Sequence, residues 1–100
     1  VSLLNTTSGT TGLPKIVVHD QLRWFHFHRL ACDVGHLDER DVFMSALPAP
    51  VGFGLWTGHF TPTLLGAPTV LMRRFDPHAT IEALERWRVS VLAAVSTQFI

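Results

Sequence analysis

The run Thr6-Thr7-Ser8-Gly9-Thr10-Thr11-Gly12-Leu13-Pro14-Lys15 concentrates anion-binding residue types into ten positions. A loop of this kind turns backbone N–H groups and hydroxyls towards an anion, and Lys15 adds a point charge. Gly9 and Gly12 let the backbone approach a phosphate closely or take positive φ without steric cost. Pro14 stiffens the exit and limits the reach of Lys15. The pattern predicts a cradle for the phosphates of a nucleotide; the alternative is a plain Gly/Thr turn between two strands. Other phosphate loops fit less well. A Walker loop needs G-x-x-x-x-G-K-[ST], whereas here the glycines stand three apart and Ile16 follows the lysine. The dinucleotide fingerprint G-x-G-x-x-G is absent. No G-x-S-x-G elbow surrounds Ser8, which argues against a hydrolase nucleophile.

A second stretch, Pro48-Ala49-Pro50-Val51-Gly52-Phe53-Gly54-Leu55-Trp56, offers binding and not catalysis. Gly52 and Gly54 flank Phe53, so its ring can stand in a pocket while the backbone passes close to a ligand. Pro50, Val51, Phe53 and Leu55 form an apolar wall with no charge in it. The alternative is ordinary core beneath a proline turn. Six histidines raise the question of a metal. His28, Cys32 and His36 fall at i, i+4, i+8, but Gly35 interrupts the helix between the last two, and no CxxC or HExxH accompanies them. An amphipathic helix accounts for them, and no metal ligand is assigned.

Alternating strands and helices must position these stretches. Val1–Leu4 reads as a short strand entering the loop and Ile16–Val18 as a β-branched strand leaving it. Asp20 is an N-cap for a helix carrying Trp24, Phe27, Ala31 and Val34 on one face, ended by Gly35. Val42–Leu47 is a strand. A second helix places Trp56, Phe60 and Leu64 in line, with Pro62 bending it and Gly66 closing it. Thr69–Met72 is a strand; Asp76 and Pro77 cap and start a third helix with Ile81, Leu84 and Trp87 inward. Glu82 and Arg86 form an outer i, i+4 pair, and the apolar run Val89–Val95 is a strand covered on both faces. The predicted class is therefore α/β, with helices packed on sheet.

Eight basic and eight acidic residues cancel, so nucleic-acid or anionic-membrane binding has no electrostatic support. No apolar run reaches membrane-spanning length, and no signal peptide is visible. A single Cys32 makes no internal disulfide and suits a reducing, cytoplasmic setting. Hydrophobic residues make up 47% and charged residues 16%, against about 25% charged for an ordinary domain. That balance predicts exposed apolar surface and a chain cut from something larger.

Almost letter for letter, Thr6–Lys15 resembles the phosphate-binding signature of the adenylate-forming (AMP-binding) superfamily, which includes acyl-CoA synthetases, luciferases and the adenylation domains of peptide synthetases. Asp41–Pro48 resembles the strand leading to that family's acid-binding turn. Leu65–Leu71, Phe75-Asp76-Pro77 and Val89–Thr97 follow in the family's order and spacing. The resemblance is closest to acyl-CoA synthetases and implies a partial adenylation domain, residues 1–100, incomplete at both ends. It implies a two-step ligase that uses ATP and Mg²⁺ to convert a carboxylic acid to an acyl adenylate, releases pyrophosphate, and passes the acyl group to coenzyme A. Thr7, Ser8, Thr10 and Thr11 are then assigned to phosphate hydrogen bonds, Gly9 and Gly12 to loop shape, and Lys15 to charge neutralisation at the β- and γ-phosphates. Val51, Gly52, Phe53 and Gly54 are assigned to the acid pocket.

This sequence departs from the family at several positions. Val51 stands where many relatives carry a His or other aromatic residue, Ile16 where Gly is common, and Asp20-Gln21 where Thr-His is frequent; His19 lies beside that gap. An apolar or aromatic acid is the expected substrate, because the turn holds no charge for an ammonium group. The family's acidic Mg²⁺ residue, adenine contacts and C-terminal lysine are expected beyond Ile100, so the hundred residues alone are expected to be inactive without the missing remainder of the chain. Alternatives are a peptide-synthetase adenylation domain, a non-catalytic nucleotide-binding remnant, and a structural α/β segment with no ligand.

Overall fold

The computed structural model describes residues 1–10 and 12–99. Strands β1 (Leu3–Thr6) and β2 (Ile16–His19) pair antiparallel from Leu3 opposite His19 to Thr6 opposite Ile16. They form a ribbon that carries the Gly/Thr loop at its tip. A second sheet is parallel and three-stranded, in the order β4-β3-β5. Its centre is β3 (Phe43–Ser45), flanked by β4 (Thr69–Val70) and β5 (Val91–Ala93). Phe43 stands opposite both Thr69 and Val91. Parallel neighbours need crossovers, and helical segments supply both.

Helix α1 (Gln21–Gly35) begins where the Asp20 carboxylate accepts from the Arg23 N–H at 2.8 Å. Its end differs in detail from the expectation. Gly35 is the last helical residue and His36 takes the left-handed conformation, φ 52°, while the Leu37 N–H reaches back to the Cys32 carbonyl at 3.1 Å. This back-bonded cap folds Leu37 over the helix end. Of the face expected to point inward, Trp24 is buried, whereas Phe27 and Val34 are exposed. Helix α4 (Pro77–Trp87) starts on Asp76, whose carboxylate accepts from the Ala79 N–H, with Pro77 at its first position. Ile81 and Trp87 lie on its exposed side, contrary to the sequence reading, and Thr80 is buried instead. Burial costs Thr80 little because its hydroxyl donates to the Asp76 carbonyl at 2.7 Å. Glu82 and Arg86 are not paired; Arg86 lies over the Trp87 ring, 5.3 Å from its centroid.

Between β3 and β4 the chain forms α2 (Gly52–Leu55), a π-helical turn Trp56–Phe60, and α3 (Thr61–Leu65). Pro62 explains the wide turn, since it has no N–H to return to the carbonyl four residues back. That carbonyl, on Gly58, accepts from the Thr69 hydroxyl at 2.8 Å instead. Gly58 sits so close to β3 that a Cβ there would lie 2.6 Å from that of Ser45. Gly66 ends α3 at φ 69°. All three strands of the parallel sheet are shorter than the sequence suggests, because each ladder stops where its partner does. Phe43, Met44, Ala46, Ala93 and Trp24 form the buried apolar core. The chain exposes 7366 Å², against about 5,700 Å² for a compact monomer of this mass. The excess is apolar in part: Val34 is 76% exposed and Trp87 54%. The fold is α/β, as the alternation of segments predicted.

Candidate functional site

The loop between β1 and β2 is held shut at its base. The Thr7 N–H donates to the Lys15 carbonyl at 3.0 Å, and the Lys15 N–H donates to Thr7 Oγ1 at 3.1 Å. Thr7 Oγ1 thus serves as an acceptor towards the chain and keeps its own hydrogen free to donate. Within the loop the Gly12 N–H donates to the Gly9 carbonyl at 3.1 Å. Gly9 lies at φ 72°, and a Cβ there would stand 2.8 Å from the Gly12 oxygen and 3.0 Å from two Pro14 ring carbons. Only glycine fits both the angle and the space. Thr7, Ser8, Gly9, Thr10 and Lys15 line one recess of 180 Å³. Gly12 shapes the loop without lining the recess, and Thr11 lies outside the described residues. Among the described residues the lining offers hydroxyls, an ammonium group and the Leu13 side chain but no carboxylate, which fits a phosphate and leaves any Mg²⁺ to ligands elsewhere.

The second stretch begins as a turn, with the Val51 N–H on the Pro48 carbonyl at 3.0 Å, and continues into α2. Gly52 packs against β1: a Cβ at this position would meet Asn5 Nδ2 at 2.8 Å. The strand entering the phosphate loop and the apolar turn are therefore in direct contact. A groove of 290 Å³ lined by Leu4, Asn5, Thr6, Pro50 and Leu55 draws on both. Gly54 is buried under the Pro48 carbonyl, and Val51 is exposed.

Gly52 and Phe53 form one wall of an apolar cleft of 520 Å³, of the size that holds a small ligand. Helix α1 supplies the opposite wall with Trp24, Phe27, Leu30 and Val34; His19 and Trp56 also line the cleft. Among the described residues, His19 is the one titratable side chain that lines it. Of the four residues assigned to the acid pocket, Gly52 and Phe53 reach this cleft, and Val51 and Gly54 do not. Sequence reasoning missed Asn5 and the part played by α1. The helix gave a signal, since Trp24, Phe27, Ala31 and Val34 recur at helical spacing, but the same spacing describes a core face.

Elsewhere the titratable groups stand apart from both recesses. Cys32 Sγ lies 3.7 Å from His28 Nδ1, and no group of three potential metal ligands converges among the described residues. Burial lowers the affinity of the His28 imidazole for its proton and raises the Cys32 thiol, with Asp33 adding to the latter. Cys32 is thus held as a thiol and not as a nucleophile. The Arg40 guanidinium binds the Asp38 carboxylate and holds it below the ordinary range.

A tight Gly/Thr loop at the tip of a two-stranded ribbon meets an apolar turn and cleft through Asn5, in an α/β segment. The comparisons specify it further. The sequence profile described as AMP-binding enzyme matches residues 1–100, and the chain belongs to that family. It is 39% identical over 88 residues to the medium-chain fatty-acid–CoA ligase of Escherichia coli K12, covering 86% of this chain and 15% of that enzyme. Feruloyl-CoA synthase of an Amycolatopsis species is 34% identical over 102 residues, covering 99% of this chain and 20% of that enzyme. The chain thus spans 15–20% of the length of these relatives. Among solved structures, o-succinylbenzoate–CoA synthetase of Bacillus subtilis in complex with ATP and magnesium superposes with a TM-score of 0.89 at 29% identity, over 95% of this chain and 20% of that one. No helix among the described residues is long and apolar enough to cross a membrane.

Proposed function

We propose that residues 1–100 are part of the adenylation domain of an acid–CoA ligase, holding the nucleotide phosphates and one side of the acid pocket, with the rest of the domain on either side of them. The observation that carries this reading is the glycine-shaped loop, in which Gly9 admits no side chain and Thr7, Ser8, Thr10 and Lys15 line one recess. ATP, bound with Mg²⁺, supplies the α-phosphate that a carboxylate attacks. The chain's own part is to hold and neutralise. Ser8, Thr10 and the free hydrogen of Thr7 donate to phosphate oxygens, with Thr11 assigned the same role, and Gly12 gives the loop its shape. Lys15 offsets the charge that builds on the departing β- and γ-phosphates. Phe53, between the close-packed Gly52 and Gly54, faces the acid; Val51, also assigned to the acid pocket, lies outside the cleft.

An apolar or aromatic carboxylic acid suits a cleft walled by Phe27, Phe53 and Trp56. The acceptor thiol is coenzyme A, in keeping with the relatives' names. A peptide-synthetase adenylation domain is the second reading; it needs an acidic anchor for the substrate's ammonium, and no carboxylate among the described residues lines the cleft. A cytoplasmic location goes with this reading and with the unpaired Cys32. The test is Lys15→Ala in the full-length ligase. Loss of a charge-assisted contact worth about 1.5–3 kcal/mol slows acid-dependent pyrophosphate exchange about 10- to 150-fold. Exchange at the unaltered rate refutes the role of Lys15.

A further inference from the structure

The backbone does not require glycine at position 52. Gly52 is the first residue of α2, its φ is not positive, and alanine is the better helix former. What bars a side chain there is Asn5. A Cβ on Gly52 would lie 2.8 Å from Asn5 Nδ2, and apart from its chain neighbours and its own helix no other atom among the described residues comes within 4 Å of that point. The tight fit is therefore between one carboxamide and one helix start.

The other end of the carboxamide holds the strand that enters the phosphate loop. Asn5 stands opposite Val17, and Thr7, two residues on, donates its N–H to the Lys15 carbonyl. Antiparallel pairs alternate, so the Thr6 N–H between them points away from β2, where the ribbon offers it no acceptor. Asn5 Oδ1 accepts from it at 2.7 Å. Thr6 leads into Thr7, whose N–H and Oγ1 close the base of the loop, and Gly52 leads into Phe53 on the cleft wall. Asn5 itself lines neither the phosphate recess nor the cleft; it lines the groove of 290 Å³ where the entry strand meets the turn. Both recesses keep their own walls without it, and their spacing depends on it.

We infer that Asn5 is a positioning residue for adenylation, whose carboxamide sets the distance between the phosphate loop and the apolar turn and thereby between the nucleotide held by one and the acid held by the other. This rests on the ligase reading above. Asn5 makes and breaks no bond in the reaction. Its loss leaves both substrates bound but misplaced, and a displacement of about 1 Å slows such a step about 100-fold. The effect falls on kcat and not on KM.

The experiment measures acid-dependent pyrophosphate exchange by the full-length enzyme, with octanoate and benzoate as probe acids, and separates kcat from KM for ATP and for the acid. Asn5→Ala lowers kcat about 10- to 100-fold and leaves both KM values within about 2-fold. Gly52→Ala drives its Cβ onto the carboxamide and lowers kcat likewise. In the double variant the new methyl enters the space that the carboxamide left, so turnover exceeds that of either single variant. Two substitutions that merely loosened the fold would together be worse than either alone. Should Asn5→Ala fail to fold, Asn5→Ser, which is too short to reach Gly52, is read in its place. An unaltered kcat in the Asn5 variant, a loss carried by KM, or a double variant that does not outpace both single ones overturns the inference, while exchange by the unaltered enzyme upholds the ligase reading. If neither probe acid nor any other carboxylic acid supports exchange by the unaltered enzyme, both fail.

Discussion

Thr69→Val tests whether a single hydroxyl holds the wide turn that follows α2. The two side chains are nearly equal in size, and valine is at home in a strand, so the change removes little besides the donor. What it strands is the Gly58 carbonyl, which now accepts from Thr69 Oγ1 at 2.8 Å. Gly58 is buried, and the α-helical partner of its carbonyl would be the N–H that Pro62 lacks. An acceptor left unpaired in such a place costs about 1–3 kcal/mol. If the segment opens locally, protected amides of Trp56–Leu65 exchange about 5- to 150-fold faster, which hydrogen–deuterium exchange by mass spectrometry resolves peptide by peptide. Pro62→Ala restores an N–H at the helical position and offers Gly58 a substitute partner. In the double variant much of the lost protection returns, because the two changes act on one carbonyl and are not additive. Unchanged exchange in Thr69→Val, or a double variant no better protected than additivity gives, refutes the account of the turn.

Two further predictions concern the loop and the pH response. Gly9→Ala forces a left-handed alanine at about 1–2 kcal/mol and drives its Cβ onto the Gly12 oxygen, so ATP binding by titration calorimetry weakens about 5- to 30-fold; undiminished affinity refutes the close fit. His28 is harder to protonate folded than unfolded, because burial penalises the charged imidazole. The unfolded chain therefore takes up more protons as pH falls below about 6.5, and stability declines there while remaining full above it. In urea titrations at pH 7.5 and 5.5, His28→Gln loses less stability on acidification than the unaltered protein; equal losses count against a perturbed His28.

What could be read from the sequence was local, and what could not was decided at a distance. Asp20, Asp76 and Pro77 announce helix starts because a cap depends on three or four adjacent residues. The loop could be read for the same reason: its hydroxyls, glycines and lysine lie within ten positions. Strand lengths could not, since Val42 to Leu47 is apolar but for Ser45 and yet pairs only where β4 and β5 reach it. Thr80 lies inside and Ile81 outside because hydrogen bonding to Asp76 lets the hydroxyl be buried, which periodicity does not weigh. At the site, the meeting of Asn5 with Gly52 joins residues far apart in the chain, and no spacing rule reports it. The α1 wall of the cleft was visible as a stripe whose role depended on what came to lie opposite.

The central position of β3 also sets a timetable. Phe43 and Met44, both wholly buried in the finished sheet, pair with Thr69–Val70 on one side and Val91–Leu92 on the other, and Ser45 adds Ala93. At about 5–20 residues per second, a ribosome needs roughly 2–10 s after making Phe43 to supply the roughly fifty residues that complete its ladder. During that interval the most deeply buried strand of the parallel sheet is a bare edge, while the β1–β2 ribbon is already closed upon itself. The β1–β2 hairpin is thus the part of this chain that can form first, and the parallel sheet is the part most exposed to mispairing during synthesis.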